Sequence, residues 1–245
     1  MTSERVRLYR RLPATADAAW WVKLAAHAPD GRVLYVGCGT GRLAVAMARE
    51  AELVAVDADP AMLAAFRDRL ADDPLAARIR LVEAAAEDLE LGERFGLVVL
   101  PSSLLNGMLE PAARAAAVRR AARHCAPDGA VVLQLLNPYW MACDDPSASG
   151  RLEPTDGGPA VGVTIEPLGF EPWEQRLQAR IRYRFGDGEQ LVDELDAVAL
   201  YPRELRALIH QAGLEITDTY GPDPGASELG RSGGTWHVVA RHRAA

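Results

Sequence analysis

Apolar positions along the chain change period several times, and the changes divide it into elements. From Val33 to Ala48, VLYVGCGTGRLAVAMA, a short β-branched and aromatic run is closed by Gly37, and the pattern restarts near Arg42 with Leu43, Ala46 and Met47 at helical spacing. This predicts a buried strand, a glycine turn and a helix. Further short apolar runs follow at ELVAVD (52–57), IRLVEA (79–84), GLVVL (96–100) and AVVLQLL (130–136). Helical stretches separate them, one capped by Asp59 with Pro60 at its first position, another from about Pro111 to Cys125. Pro29-Asp30-Gly31 and Pro127-Asp128-Gly129 read as turns into strands. Strands alternating with helices predict a doubly wound, mostly parallel sheet whose ligands lie at the carboxyl ends of the strands.

Upstream, residues 1–12 read as a short surface helix, and Thr15 as the cap of a helix reaching about Ala28 with Trp20, Leu24 and His27 on one face. Past Pro138 the period switches to two. DDPSASG and TDGGP read as a polar, flexible stretch, followed by strands at 161–166, 173–185 and 191–200. Leu177, Ala179, Ile181, Tyr183 and Phe185 share one face of the second, and an arginine stripe lines the other. Pairing Phe185 with Leu191 sets Ile181 opposite Leu195, Ala179 opposite Ala197, Arg182 opposite Glu194 and Arg180 opposite Asp196. The stripe then reads as a solvated, ion-paired face rather than an anion site. YPRELRALIHQAGLEITDTYG gives a helix, a stop at Gly213 and a strand, and 235–243 supplies an antiparallel closing strand. The fold class expected is α/β, a Rossmann-like seven-stranded sheet with an antiparallel C-terminal strand and an inserted antiparallel β lid. A single domain over 1–245 is expected, with 138–200 as the lid.

Composition narrows the chemistry. A net charge of −7 opposes a polyanionic partner, so no nucleic acid is expected. No apolar run approaches the ~20 residues that span a bilayer, and the first residues lack a signal-peptide core, so a cytoplasmic protein without a membrane partner is expected. Cys38, Cys125 and Cys143 are far apart, and the five histidines show no metal spacing, so neither disulfide nor metal is expected. Lys23 is the only lysine, which removes most routes to Schiff-base chemistry and leaves none after the glycine turn for a phosphate-binding P-loop. Asp57 lies twenty positions after Gly37, at the end of the second strand, where a carboxylate can take both hydroxyls of a ribose.

VLYVGCGTGRLA followed by VAVDADPAML resembles the first two motifs of the class I S-adenosylmethionine-dependent methyltransferases. More narrowly, the chain is similar to small-molecule members with an antiparallel lid, such as sugar N-methyltransferases and glycine N-methyltransferase-like proteins. The resemblance implies S-adenosylmethionine as cofactor, a small-molecule acceptor presenting a nitrogen, oxygen or carbon nucleophile, a role in secondary metabolism, and a monomer or homodimer. It implies that Gly37, Cys38, Gly39 and Gly41 lie along the methionine part of the cofactor, that Arg42 also binds it, and that Asp57 is on the ribose with Ala58 under the adenine. Ala86 and Glu87 would stand at the adenine edge, and Leu100 and Pro101 beneath the sulfonium. Tyr9, Asn106 and Tyr139 are the candidate catalytic side chains, with Trp140 beside the last; Asn106 occupies a place where relatives often have histidine. The family usually carries acids where Tyr35, Ala85 and Gly96 stand. These departures leave two alternatives, a family member catalysing a non-methylating biosynthetic step and a non-catalytic partner subunit.

Overall fold

The computed structural model describes residues 3–13, 17–154, 157–221 and 234–243. Two helices, α1 (Ser3–Arg11) and α2 (Asp17–Ala26), precede β1 (Arg32–Val36), α3 (Arg42–Met47), β2 (Glu52–Asp57) and α4 (Pro60–Leu70). After β3 (Ile79–Glu83) and β4 (Phe95–Leu100) come the short α5 (Leu104–Gly107), then α6 (Pro111–His124), β5 (Cys125–Leu136) and a second short helix, α7 (Pro138–Met141). Four strands follow, β6 (Ala148–Leu152), β7 (Val161–Glu171), β8 (Arg176–Arg184) and β9 (Gln190–Val198). Helix α8 (Pro202–Gln211), β10 (Leu214–Tyr220) and β11 (Thr235–His242) end the described chain. The expected cap Thr15 lies outside the described residues.

The main sheet runs β10-β11-β5-β4-β1-β2-β3, parallel from β3 to β5, with β11 antiparallel to both β5 and β10. Strand order reverses between β1 and β4, and the crevice at the carboxyl end of that junction is where such a sheet takes a ligand. Both faces are buried, which accounts for the continuous apolar runs of β1, β2 and β4. One layer holds Trp21, Tyr35, Met47 and Phe66; the other holds Leu34, Val98, Leu133 and Leu205.

The remaining strands form a separate antiparallel sheet in the order β6-β7-β8-β9. Its register differs from the sequence expectation by two residues: Tyr183 stands opposite Leu191, Ile181 opposite Asp193, Ala179 opposite Leu195 and Arg180 opposite Glu194. The turn is the cause. Phe185 N–H donates to Glu189 O (2.9 Å) and Gly188, at φ 86°, donates back to Phe185 O (3.0 Å), so the loop holds three residues. A two-residue slip preserves the faces, so alternation alone cannot detect it. The arginine stripe is ion-paired as expected, with different partners: Arg182 and Arg180 approach Glu166 of β7 at 3.0 and 3.8 Å, and Arg176 pairs with Asp196.

Other expectations shift for local reasons. Strand β6 falls in the polar stretch read as loop; it is an edge strand with three exposed central residues, so it carries no apolar signal. Pro127-Asp128-Gly129 is a bulge within β5, where pairing jumps from Phe95–Cys125 to Leu97–Ala130. Helix α2 buries Ala18, Trp21 and Ala25, leaving Trp20 and Leu24 on the flank. Helix α1 is no mere surface helix, since Leu8 is fully buried against Val161, Phe185 and Leu191.

Candidate functional site

The turn after β1 is built by its glycines in two ways. Gly37 and Gly39, at φ 78° and 53°, face a cavity of about 630 Å³, and their N–H groups are held in place, Gly37 donating to Val56 O (2.8 Å) and Gly39 to Asp57 Oδ2 (2.7 Å). Gly41, at φ 79°, is a packing requirement. A Cβ there would lie 2.1 Å from the fully buried ring of Phe66. Gly41 packs against α4 and is not among the residues lining the cavity.

Asp57 ends β2 on the cavity wall, its Oδ1 accepting the Asp59 N–H at 3.0 Å. Those two backbone bonds fix the carboxylate and leave one acceptor position on each oxygen for hydroxyl donors. The glycine cradle, open where side chains would stand, together with this fixed carboxylate fits a ribose-bearing ligand with an extended tail along the turn.

Helix α1 is strapped across the turn. Thr40 Oγ1 donates to Tyr9 O (3.0 Å), Arg42 Nη1 to Pro13 O (2.9 Å), and the Tyr9 ring comes within 3.9 Å of where a Gly39 Cβ would be. Tyr9 thus reaches the cavity wall as expected, whereas the Arg42 side chain turns to the N-terminal segment instead. Cys38 is buried beside the turn, and burial pushes its thiol well above the ordinary range, so it is no nucleophile.

At the far side of the switch point, Pro101 lines the cavity and Leu100 is buried behind it. Ser102 and Ser103 follow at φ 55° and 58°, two consecutive non-glycine residues in the left-handed region, each costing about 1–3 kcal/mol. Ser102 N–H is held by Gln134 Oε1 (2.6 Å). Strain of this kind at a cavity mouth points to a preorganised site, and sequence gave no sign of it.

Two catalytic candidates go elsewhere. Asn106 is fully buried: its Nδ2 donates to Val198 O (2.8 Å) and its Oδ1 accepts the Leu136 N–H (2.9 Å), joining β9 to β5 through α5. It is a tie between the two sheets, and it does not line the cavity. Tyr139 is exposed and packs edge-on against Tyr201, with centroids 5.6 Å apart. Its neighbour Trp140 takes the place on the wall. Ala58, Ala86 and Glu87 follow the carboxyl ends of β2 and β3, beyond the cavity wall proper, where Met62 of α4 stands; the Glu87 carbonyl accepts Arg120 Nε at 3.3 Å.

The departures have structural reasons. Tyr35 packs in the core beneath the turn. At Gly96 no side chain fits, since a Cβ would lie 2.4 Å from Asp30 Oδ1; Asp30 supplies a carboxylate there, accepting the Gly96 N–H (2.9 Å).

The antiparallel sheet closes the cavity with Ile165, Ile181, Tyr183, Asp193 and Leu195. Arg5 of α1 stands 3.4 Å from Asp193 and over the Tyr9 ring at 5.6 Å. Burial, with Tyr9 and Asp193 adding to it, pushes the Tyr183 phenol up, so it remains protonated. Sequence reasoning missed Arg5, Tyr183 and Asp193 as site residues. For Asp193 the signal was available: it is the single charge on the stripe Leu191, Asp193, Leu195, Ala197.

An α/β sheet with a glycine turn and a ribose-oriented carboxylate at its switch point, capped by a second sheet, defines a nucleoside-cofactor enzyme of the Rossmann-like class. Residues 33–129 match the family described as "Methyltransferase domain". The cypemycin N-terminal methyltransferase of a Streptomyces species is 30% identical over 236 residues, covering 90% of this chain and 86% of that one. The chain belongs to the class I S-adenosylmethionine-dependent methyltransferases. Among solved structures, the CcbJ methyltransferase from Streptomyces caelestis superposes with a TM-score of 0.72 at 24% identity, covering 91% of this chain and 90% of that one. The amino pentose methyltransferase of calicheamicin biosynthesis from Micromonospora echinaspora, bound to S-adenosylmethionine, gives 0.68 at 22%, covering 98% and 97%. At these identities the likeness of the solved structures speaks to the fold. No described helix is long and apolar enough to cross a membrane, and no described cluster of three or more His, Cys, Asp or Glu residues suits a metal.

Proposed function

We propose that the protein methylates an amine nitrogen of a small molecule of secondary metabolism, as one domain in which residues 138–200 form the lid over the acceptor. The observation that carries this reading is that the glycine turn, Asp57 and the inner face of the antiparallel sheet all line one cavity. Gly37 and Gly39 would hold the methionine part of S-adenosylmethionine, Asp57 the ribose, and Ala58, Met62, Ala86 and Glu87 the adenine. Cys38, Gly41, Arg42 and Leu100 would act from behind, by shaping the turn and the strand end.

S-adenosylmethionine supplies a methyl group already activated by the sulfonium, so the chain's own task is alignment and exclusion of water. Pro101, Leu104, Met108 and Trp140 supply apolar wall, and Tyr9, tied over Gly39, closes the α1 side. No histidine stands among the described wall residues, which favours an acceptor that is nucleophilic without a strong base, as a free amine is. The relative at 30% identity is named as an N-terminal methyltransferase, which agrees with nitrogen. The working form is a monomer or homodimer, cytoplasmic, with no nucleic-acid or membrane partner. Incubation with isotopically labelled S-adenosylmethionine and a panel of amine-bearing peptides and amino sugars tests the reading. The expected result is one S-adenosylhomocysteine per N-methyl product; transfer only to hydroxyl or carbon acceptors contradicts it.

A further inference from the structure

The inner face of the antiparallel sheet is apolar row by row, with one exception. Across its centre Ile165 pairs with Ile181, and Ile181 with Asp193, whose carboxylate is therefore directed to the same side as the two isoleucines, onto the cavity. A carboxylate in an apolar wall is costly unless it has a partner. The partner present is incomplete: Asp193 Oδ1 accepts its neighbour's Glu194 N–H (3.1 Å) and meets Arg5 Nε at 3.4 Å without hydrogen-bond geometry, while Oδ2 has no described hydrogen bond. Asp193 thus faces Arg5 alone at this end of the cavity, since Glu194, the next residue, stands with Arg180 on the outer face. Asn106 anchors β9 to the main sheet, so the carboxylate is presented from a rigid strand.

From this geometry we infer that Asp193 is the specificity residue that captures the acceptor as a cation, its free oxygen binding the ammonium while Ile165, Ile181 and Leu195 take the apolar body; the ammonium then gives one proton up to solvent, and the neutral amine, still hydrogen-bonded to that oxygen, offers its lone pair to the methyl group. The inference rests on the amine reading above and adds to it the group that recognises the amine. Charge-assisted hydrogen bonds of this kind separate a cation from a neutral isostere about ten- to a hundred-fold.

The test uses the full chain saturated with S-adenosylhomocysteine and three probe pairs: trialanine and its N-acetyl form, glucosamine and glucose, phenethylamine and phenethyl alcohol. Binding is followed by ligand-observed NMR and calorimetry. At least one amine is expected to bind ten-fold or more tightly than its neutral counterpart. Asp193→Asn should abolish that preference and Asp193→Glu retain it. Glu166→Gln, which removes a charge from the outer face, should leave it unchanged, as should all three leave S-adenosylhomocysteine affinity. Preference retained in Asp193→Asn, or no amine bound by a wild-type chain that does bind S-adenosylhomocysteine, overturns the inference. The wild-type preference needs no variant, so it stands as a test even where a substitution unfolds the sheet. Failure of S-adenosylhomocysteine to bind strikes the methyltransferase reading itself.

Discussion

The two sheets of this protein divide the work by different physical means. In the parallel sheet the site is made of backbone: glycines with positive φ, N–H groups fixed on Val56 O and Asp57, and one carboxylate at a strand end. In the antiparallel sheet it is made of side chains standing on a pleated face, Ile165, Ile181, Tyr183 and Asp193. A backbone cradle tolerates few substitutions and serves an invariant ligand, whereas a side-chain face can be rewritten by single replacements. The contrast separates the two halves of the proposed specificity, cofactor in the turn and acceptor on the second sheet.

The harshest way to break the comparison is at two left-handed glycines, one in each region. Gly41→Ala drives a Cβ into the Phe66 ring and strains the backbone, an expected loss of about 4 kcal/mol. Gly188→Ala meets nothing within 4 Å and loses only the backbone term, about 1 kcal/mol. Urea unfolding of both variants measures the difference, and S-adenosylhomocysteine binding should fall only in the first.

The link between the regions comes next. Asn106→Ala orphans the Val198 carbonyl and the Leu136 N–H, and about 2 kcal/mol of stability should go with them. Hydrogen exchange should rise in β9 more than in β1, and a uniform rise along both strands contradicts the tie.

A subtler probe uses pH. Burial pushes the Cys125 thiol up to about 11, so the folded state keeps a proton that the unfolded chain releases from about pH 8.5. The Cys125 contribution to stability should therefore fall as pH rises through that window and level off above about 11, while Cys38 and Tyr183, which burial pushes higher still, prolong the fall. Maleimide at pH 7 should label one thiol per native chain, the exposed Cys143, and three after unfolding. Smallest of all is the effect of salt. Arg11 pairs with Asp187 at 2.7 Å and lies over Phe185, and Arg7 pairs with Glu189, fastening α1 to the β8–β9 hairpin. These are exposed or half-exposed pairs, worth at most about 1 kcal/mol each, so 1 M salt should loosen α1 detectably by hydrogen exchange without unfolding the sheets.

The parallel half was readable from sequence because burial on both faces writes strands as continuous apolar runs, and because Gly37, Gly39 and Asp57 carry a spacing with one mechanical meaning. The antiparallel half was readable in its faces and not in its register, since Tyr183 opposite Leu191 and Phe185 opposite Leu191 satisfy the same alternation. Asn106 misled because a buried polar residue near a site looks the same in sequence whether it serves a ligand or two strands. Strain at Ser102 and Ser103 was invisible, as serine carries no mark of positive φ. Gly96 appeared as a loss, and only packing reveals that Asp30 stands in the space.

The central claim is that one cofactor, S-adenosylmethionine, sits between the glycine turn and Asp57 beneath the second sheet. Calorimetric titration of S-adenosylhomocysteine into the wild type and into Asp57→Ala tests it most directly. The account predicts one site per chain in the wild type and an affinity at least ten-fold weaker in a folded Asp57→Ala variant. Equal affinities in the two, or no binding by the wild type, would contradict it.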